Sequence, residues 1–169
     1  MMHQPVTYIM VGMTDWLNGT EQRHWRQFLS MQNRLMGQLA AHLQAEAGLS
    51  MPDYDVLVPL SEAPGGRLRS TELLAVTCWE KSRLAHHLTR MEKRGLIARE
   101  TRADDSRYSD VLLTRQGRAA ITSAAPKHAA HVRSWFVQAL TPEELATFGE
   151  LSDKITERLG GATPACPVD

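Results

Sequence analysis

An amphipathic segment between residues 78 and 94 constrains the fold of this chain more than any other feature. Leu84, Leu88 and Met91 recur there at the i, i+4 and i+7 spacing of one apolar helix face. Gly95 follows, the residue type that ends helices in a left-handed conformation. We also expect Thr77 and Glu80, three residues apart, to form a capping box at the start of this helix.

The surroundings of this helix indicate a winged helix-turn-helix. A short helix pattern over 69–75 precedes it, separated only by two residues, and this tight connection is typical of helix-turn-helix pairs. Strand patterns follow over 96–100 and 109–113, on either side of a turn-forming segment at 103–106. A second helix followed by such an arm can enter a DNA major groove while the arm reaches the adjacent backbone.

The polar face of the helix carries the candidate DNA contacts. We expect Arg83, His86 and Arg90 to face the major groove, with the two arginines suited to bidentate bonds with guanine. Lys81 and Ser82, near the helix start, are candidates for phosphate contacts.

Charge is distributed unevenly along the chain, although the whole chain is neutral. Residues 67–118 hold twelve Lys and Arg against seven Asp and Glu, a net charge of +5, and the remainder of the chain therefore carries −5. A basic module on an acidic scaffold is expected of a DNA-binding protein, because phosphate contacts dominate affinity.

Two stretches also resemble the multiple antibiotic resistance regulator (MarR) family of bacterial transcription factors: Arg-Met-Glu-Lys-Arg-Gly-Leu-Ile over 90–97, and Asp-x-Arg-x-x-x-Val-x-Leu-Thr-x-x-Gly over 105–117. The resemblance extends over most of residues 20–159. It implies that Arg107 is a wing-tip arginine that enters the minor groove and that Asp105 supports the wing. Pro59, which interrupts a helix pattern, and the bulky Cys-Trp-Glu at 78–80 depart from the family pattern.

The expected fold class is mainly α with a small β-wing, a winged helix-turn-helix with long N- and C-terminal dimerisation helices. We assign 1–18 to an N-terminal extension and 19–159 to a single domain, with a disordered tail over 160–169. Within the domain, 50–118 is the DNA-binding lobe and 19–48 and 119–159 are the dimerisation helices. The helix after the wing is expected to break near Pro126, and the last helix begins with Thr141 as its cap.

The resemblance also implies a cleft for a small aromatic or anionic effector, although the sequence leaves the existence of an effector open. Trp16, His24, Trp25 and Tyr54 lie on segments that can line such a cleft, and plain core packing is the alternative. Both cysteines, Cys78 and Cys166, lie where neither a structural disulfide nor the family's peroxide-sensing site is expected.

We expect no metal and no cofactor. His128 and His131 share one helix face and His86 and His87 are adjacent, but neither Cys nor a carboxylate obviously completes a zinc site. No catalytic motif is present either. The first 13 residues lack the features of a signal peptide, and no apolar run is long enough to span a membrane.

The sequence therefore predicts a cytoplasmic, homodimeric transcriptional regulator that binds double-stranded DNA at a near-palindromic site, most simply as a repressor. Two alternatives stay open at this point. One is a winged-helix protein-interaction module that does not bind DNA, and the other is a small enzyme with an unrecognised site.

Overall fold

A computed structural model describes residues 16–101 and 109–160 of the chain. These residues are mainly helical and include a small antiparallel sheet, which confirms the predicted fold class. The helices are α1 (Gly19–Ala47), α2 (Met51–Glu62), α3 (Ser70–Thr77), α4 (Lys81–Lys93), α5 (Arg115–Trp135) and α6 (Pro142–Arg158). The strands are β1 (Arg67–Arg69), β2 (Ile97–Thr101) and β3 (Ser109–Leu113).

Several expectations fall outside the described residues. These are the wing tip with Asp105 and Arg107, Cys166, most of the N-terminal extension over 1–18, and the tail beyond residue 160.

The chain divides into two compact units, Met1–Arg34 and Leu35–Asp169. In the first unit, the side chain of Asn18 accepts hydrogen bonds from the backbone N–H groups of Thr20 and Glu21 at 2.9 and 3.0 Å. The Glu21 carboxylate accepts a bond from the Asn18 N–H at 2.7 Å, so the two side chains cap the start of α1 reciprocally.

In the second unit, α2 begins with another capping box. The Ser50 N–H donates to the Asp53 carboxylate at 2.8 Å, and the Asp53 N–H donates to the Ser50 hydroxyl at 3.3 Å. Pro59 lies inside α2, and the helix continues to Glu62. The expectation that Pro59 interrupts this helix is wrong: Pro59 cannot donate to the preceding turn, but its own carbonyl still accepts a bond from Ala63 at 3.0 Å.

The sheet has three strands in the order β1-β3-β2, and both pairings are antiparallel. The hairpin pairs Ile97 with Leu113 and Arg99 with Val111. On its other edge, β3 pairs with β1, which the sequence did not predict because residue 69 was assigned to a helix.

One hydrophobic core joins α1, α2, α3, α4, the hairpin and α5. Its centre is formed by residues with no exposed surface: Val56, Leu57, Leu60, Leu73, Met91 and Val111. The predicted apolar face of α4 is confirmed, because Leu84, Leu88 and Met91 are all buried in this core.

The link from α4 to β2 is fixed by backbone geometry. Gly95 has a φ of +71°, its N–H donates to the Glu92 carbonyl, and the Leu96 N–H donates to the Met91 carbonyl. This pair of bonds is the Schellman motif, which explains why the helix ends at a glycine.

The start of α5 docks against the same link. The Thr114 hydroxyl accepts a bond from the Gly117 N–H at 2.9 Å and lies 2.6 Å from the Gly95 carbonyl, to which it donates. At Gly117 an added Cβ would overlap the Leu96 carbonyl, so only glycine permits this close approach. The Leu-Thr-x-x-Gly pattern is therefore a packing requirement.

The two C-terminal helices agree only in part with the prediction from the sequence. Helix α5 runs through Pro126 to Trp135, so the expected break near Pro126 is wrong. Helix α6 begins as expected, with a capping box between Thr141 and Glu144. The Thr141 N–H donates to the Glu144 carboxylate at 2.8 Å, and the Glu144 N–H donates to the Thr141 hydroxyl at 3.2 Å.

We expect Gly117→Ala to lower the free energy of unfolding by about 2–3 kcal/mol, because overpacking against a backbone carbonyl forces α5 away from Leu96. Urea unfolding followed by circular dichroism at a fixed chain concentration measures this change.

Gly37→Ala is the matched control, because nothing lies within 4 Å of an added Cβ in the middle of α1. That variant should be neutral or more stable by up to about 1 kcal/mol. Equal stability of the two variants would contradict the packing role of Gly117.

Candidate nucleic-acid interface

Helices α3 and α4 form the helix-turn-helix pair that the sequence predicted, with a slightly longer connection. Cys78 ends α3 in a left-handed conformation at φ 53°, and Trp79 and Glu80 complete the turn. The expected capping box is wrong, because the Thr77 hydroxyl donates back to the Leu73 carbonyl at 2.6 Å and Glu80 makes no capping bond. The first backbone N–H groups of α4 thus lack a side-chain cap.

Helix α4 has one buried face and one polar face. The exposed residues on the polar face include every DNA contact that the sequence proposed within the described part of the chain: Lys81, Ser82, Arg83, His86 and Arg90.

Arg83 lies over an aromatic ring at the start of α4. Its guanidinium carbon is 4.4 Å from the centroid of the Trp79 ring, a cation–π contact. The edge of Trp79 in turn meets the His87 ring at 5.4 Å, with the two planes nearly perpendicular. Trp79, the bulky residue that precedes α4, therefore supports the cationic side chain of Arg83.

His87 is a central residue that sequence reasoning missed, because it was treated together with exposed His86. The His87 side chain is almost fully buried, and its Nδ1 lies 2.9 Å from the Nη2 of Arg90. A guanidinium can only donate, so Nδ1 must accept, and the proton of neutral His87 lies on Nε2. This bond holds Arg90 beside the helix surface.

Asp53 connects His87 to the end of α4. Its Oδ1 lies 3.1 Å from His87 Nε2, although the angle is too poor for a hydrogen bond, and its Oδ2 accepts a bond from Arg94 Nη1 at 2.6 Å. Arg94 Nη2 also donates to the Gly48 carbonyl at 2.9 Å. The buried carboxylate thus joins α2, α4 and the end of α1.

The protonation states fit this network. Burial lowers the pKa of His87 below its ordinary value, and nearby Arg90 lowers it further, against the attraction of Asp53. Burial alone would raise the pKa of Asp53, but hydrogen bonds from Ser50 and Arg94 outweigh it and lower the pKa overall. Asp53 is therefore ionised and His87 neutral near pH 7.

Some of the basic side chains in residues 67–118 are paired with acidic side chains of the protein itself. Arg67 bonds to Asp110 at 2.9 Å and to Glu100 at 2.7 Å, so it ties β1 to the hairpin. Arg99 donates from Nε and Nη2 to one oxygen of Glu92, Oε2, at 2.9 and 2.6 Å. The count of twelve Lys and Arg in this segment thus overstates the cations that its surface offers.

The proposed effector residues lie in different settings. Trp16 and Trp25 are more than half exposed, and Trp25 stacks on Phe28 with ring centroids 5.6 Å apart. His24 shares a hydrogen bond with Gln27 at 3.0 Å. Tyr54, in the second unit, is half-buried against the ring of His128 at 4.4 Å, and burial raises its pKa.

The polar face of α4 argues against a protein-interaction module, because such a helix would present apolar anchors where Arg83, His86 and Arg90 are exposed. Of the helices in residues 16–101 and 109–160, none is both long and apolar enough to span a membrane.

Comparisons with known proteins agree with this geometry. The sequence pattern of the MarR family matches residues 49–108. The transcriptional regulator HosA of Escherichia coli O127:H6 is 34% identical over 107 residues, which cover 63% of this chain and 77% of HosA.

Solved structures extend the similarity to nearly the whole chain. AbsC, a MarR family transcriptional regulator from Streptomyces coelicolor, is 41% identical with a TM-score of 0.81, covering 88% of this chain and 100% of AbsC. Sco3205, a MarR family regulator from the same organism, was solved in complex with DNA. It is 34% identical with a TM-score of 0.83, and the match covers 92% of this chain and 97% of Sco3205. The names of these relatives denote regulators, not enzymes.

We expect the chain to lose stability as the pH falls through the ordinary histidine pKa of 6.5. Unfolded His87 takes up a proton there while the folded residue, with its lowered pKa, resists protonation, so acid favours unfolding. His87→Gln should reduce the slope of unfolding free energy against pH between about pH 7.5 and 5.5. Urea unfolding at several pH values measures this slope.

His128, whose pKa burial also lowers, leaves part of the slope in place. His24→Gln removes an exposed histidine from α1 and should keep the slope of the unmodified protein. The role given to His87 is refuted if both variants show that same slope.

Proposed function

The chain belongs to the MarR family of DNA-binding transcriptional regulators, and on that premise we propose that it is a homodimeric repressor of a near-palindromic operator. The observation that carries the proposal is the polar face of α4, on which two arginines are held in place, Arg83 by Trp79 and Arg90 by His87. Arginines that are ordered before binding lose less entropy when they bond to guanine.

Each proposed contact has a chemical role. Arg83 and Arg90 bond to guanine edges in the major groove, with His86 beside them. Lys81 and Ser82 contact phosphate at the start of α4, where the lack of a side-chain cap leaves backbone N–H groups for an anion.

The wing supplies the remaining contact. By its resemblance to the family, Arg107 enters the minor groove, and Asp105 supports the wing through a charge-assisted bond.

A second copy of the chain would cover apolar surface that one copy leaves exposed. No residue of α6 is buried, and Leu151, Ile155 and Leu159 are each more than half exposed. In the proposed dimer, α1 and α6 pair across a two-fold axis, and the two α4 helices read half-sites about 34–36 Å apart.

Repression requires only that the bound dimer blocks a promoter. We place this activity in the cytoplasm, where bacterial DNA lies.

We expect Arg83→Ala and Arg90→Ala each to weaken operator binding by about 5- to 150-fold, corresponding to roughly 1–3 kcal/mol. Arg107→Ala should also weaken binding, because a minor-groove arginine contributes shape readout. Fluorescence anisotropy with a labelled operator duplex, repeated across a salt series, measures these changes.

Arg133→Ala removes the same charge from the exposed surface of α5 and serves as the control, with binding close to that of the unmodified protein. A duplex with five base pairs inserted between the half-sites rotates them by about half a turn and should bind no better than a scrambled duplex. Binding that ignores both the arginine changes and the insertion would refute the proposal.

A small aromatic anion is the proposed signal that releases the operator. The candidate contacts are Trp16, His24 and Trp25 in the first unit and, separately, Tyr54 in the second. The two exposed tryptophans support this, because their rings offer flat apolar surface on which an aromatic ring can stack. They also belong to the apolar surface that a partner chain can cover.

Benzoate should release the operator duplex from the unmodified protein, and Trp25→Ala should raise the concentration needed at least several-fold. Anisotropy at fixed ionic strength measures release, and acetate is the non-aromatic control. Sedimentation of Trp25→Ala checks that the dimer persists. Equal release by acetate, or no change in a dimeric Trp25→Ala protein, would exclude this effector site.

A further inference from the structure

Three metal-ligating side chains from two helices converge on the surface of the second unit. His42 and Glu46 lie four residues apart on α1, and His131 lies on α5. We call these three residues the α1–α5 triad. Their ligating atoms lie within 4.8 Å of one another, and each side chain is partly exposed, so an ion can reach them from solvent.

The distances in the triad are close to those of a tetrahedral zinc site. His42 Nδ1 lies 3.3 Å and His131 Nε2 lies 3.0 Å from the same Glu46 oxygen, Oε1. Ligand atoms bound to Zn²⁺ at about 2.0–2.2 Å in a tetrahedron stand roughly 3.3–3.5 Å apart. The third distance, between His42 Nδ1 and His131 Nε2, is at most 4.8 Å, so an ion that binds all three atoms draws the two imidazoles toward each other.

Neighbouring groups restrict how the triad can rearrange. The Trp135 ring stacks on His131 at 4.8 Å and meets His42 edge-on at 5.0 Å, so it forms a wall beside both imidazoles. The histidine rings themselves lie 4.4 Å apart. Packed rings keep both ligand nitrogens directed at Glu46, as a binding site requires.

From this geometry we propose that His42, Glu46 and His131 bind a divalent transition-metal ion of the Zn²⁺ type. Two imidazoles and one carboxylate form a ligand set that suits zinc, and water takes the fourth, solvent-facing position. The cation takes the place of the protons that the imidazoles share with Glu46. A neutral ring keeps its proton by moving it to the other ring nitrogen, and a protonated ring releases one to solvent.

The sequence did not reveal this site. The His-x-x-His spacing of His128 and His131 places two possible metal ligands on one face of a helix, but this pattern contains no carboxylate. The carboxylate comes from Glu46, 85 residues earlier in the chain, and His128 instead packs against Tyr54.

The test is a zinc titration of the untagged, chelator-treated protein in competition with a chromophoric chelator. We expect one ion per chain in the unmodified protein. Glu46→Gln and His131→Gln should each weaken binding by at least about tenfold, because even the loss of an outer-shell partner costs 10–100-fold. Cobalt(II) in place of zinc should give the visible absorption of a four-coordinate site.

Glu62→Gln is the matched control for Glu46→Gln, because it removes an exposed carboxylate from the end of α2 and should bind zinc like the unmodified protein. Zinc should also raise the midpoint of thermal unfolding in the unmodified protein and Glu62→Gln, but not in Glu46→Gln, because only the folded chain assembles the triad. No zinc binding by the unmodified protein, equal affinity in all variants, or a six-coordinate cobalt spectrum would each overturn the proposal.

Discussion

Asp53 is the residue on which the placement of α4 depends. Its carboxylate is buried at the start of α2 and faces His87 on one side and Arg94 on the other. An isolated charge at this depth would be costly, so the two partners and the Ser50 bonds have to be present together. The ion pair with Arg94 therefore ties the end of α4 to α2, and the same carboxylate lies against neutral His87 in the middle of α4.

This constraint extends to the proposed DNA-binding surface of α4. Neutral His87 has one nitrogen toward Asp53 and the other toward Arg90. The bond from Arg90 fixes the tautomer, with Nδ1 as the acceptor and the Nε2 proton on the side of the buried carboxylate. Arg83 is positioned separately, by the ring of Trp79. The same basic segment uses Arg67 and Arg99 for internal pairs, so a few ordered cations, and not total charge, define the reading face.

Sequence reasoning succeeded where the cause is local and failed where it is not. The apolar spacing of α4, the stop at Gly95 and the cap at Thr141 are written into a few consecutive residues, and each was predicted. Three other features join residues more than thirty positions apart: the pairing of β1 with β3, the contact of Asp53 with His87, and the contact of Glu46 with His131. A periodic pattern along the sequence cannot indicate such contacts. The continuity of α2 and α5 through their prolines likewise depends on tertiary packing, which overrides local propensity.

The end of α1 brings these long-range contacts together. Glu46 belongs to the α1–α5 triad, and two residues later the Gly48 carbonyl accepts the bond from Arg94 that steadies α4. A shift of this helix end along its axis would thus alter the distance between Gly48 and Arg94 and, through Asp53, the surroundings of His87. A ligand can bias such a movement only by the difference in its affinity for the two positions. An ion held by groups on both α1 and α5 meets that requirement, because its coordination distances change as soon as one helix moves against the other.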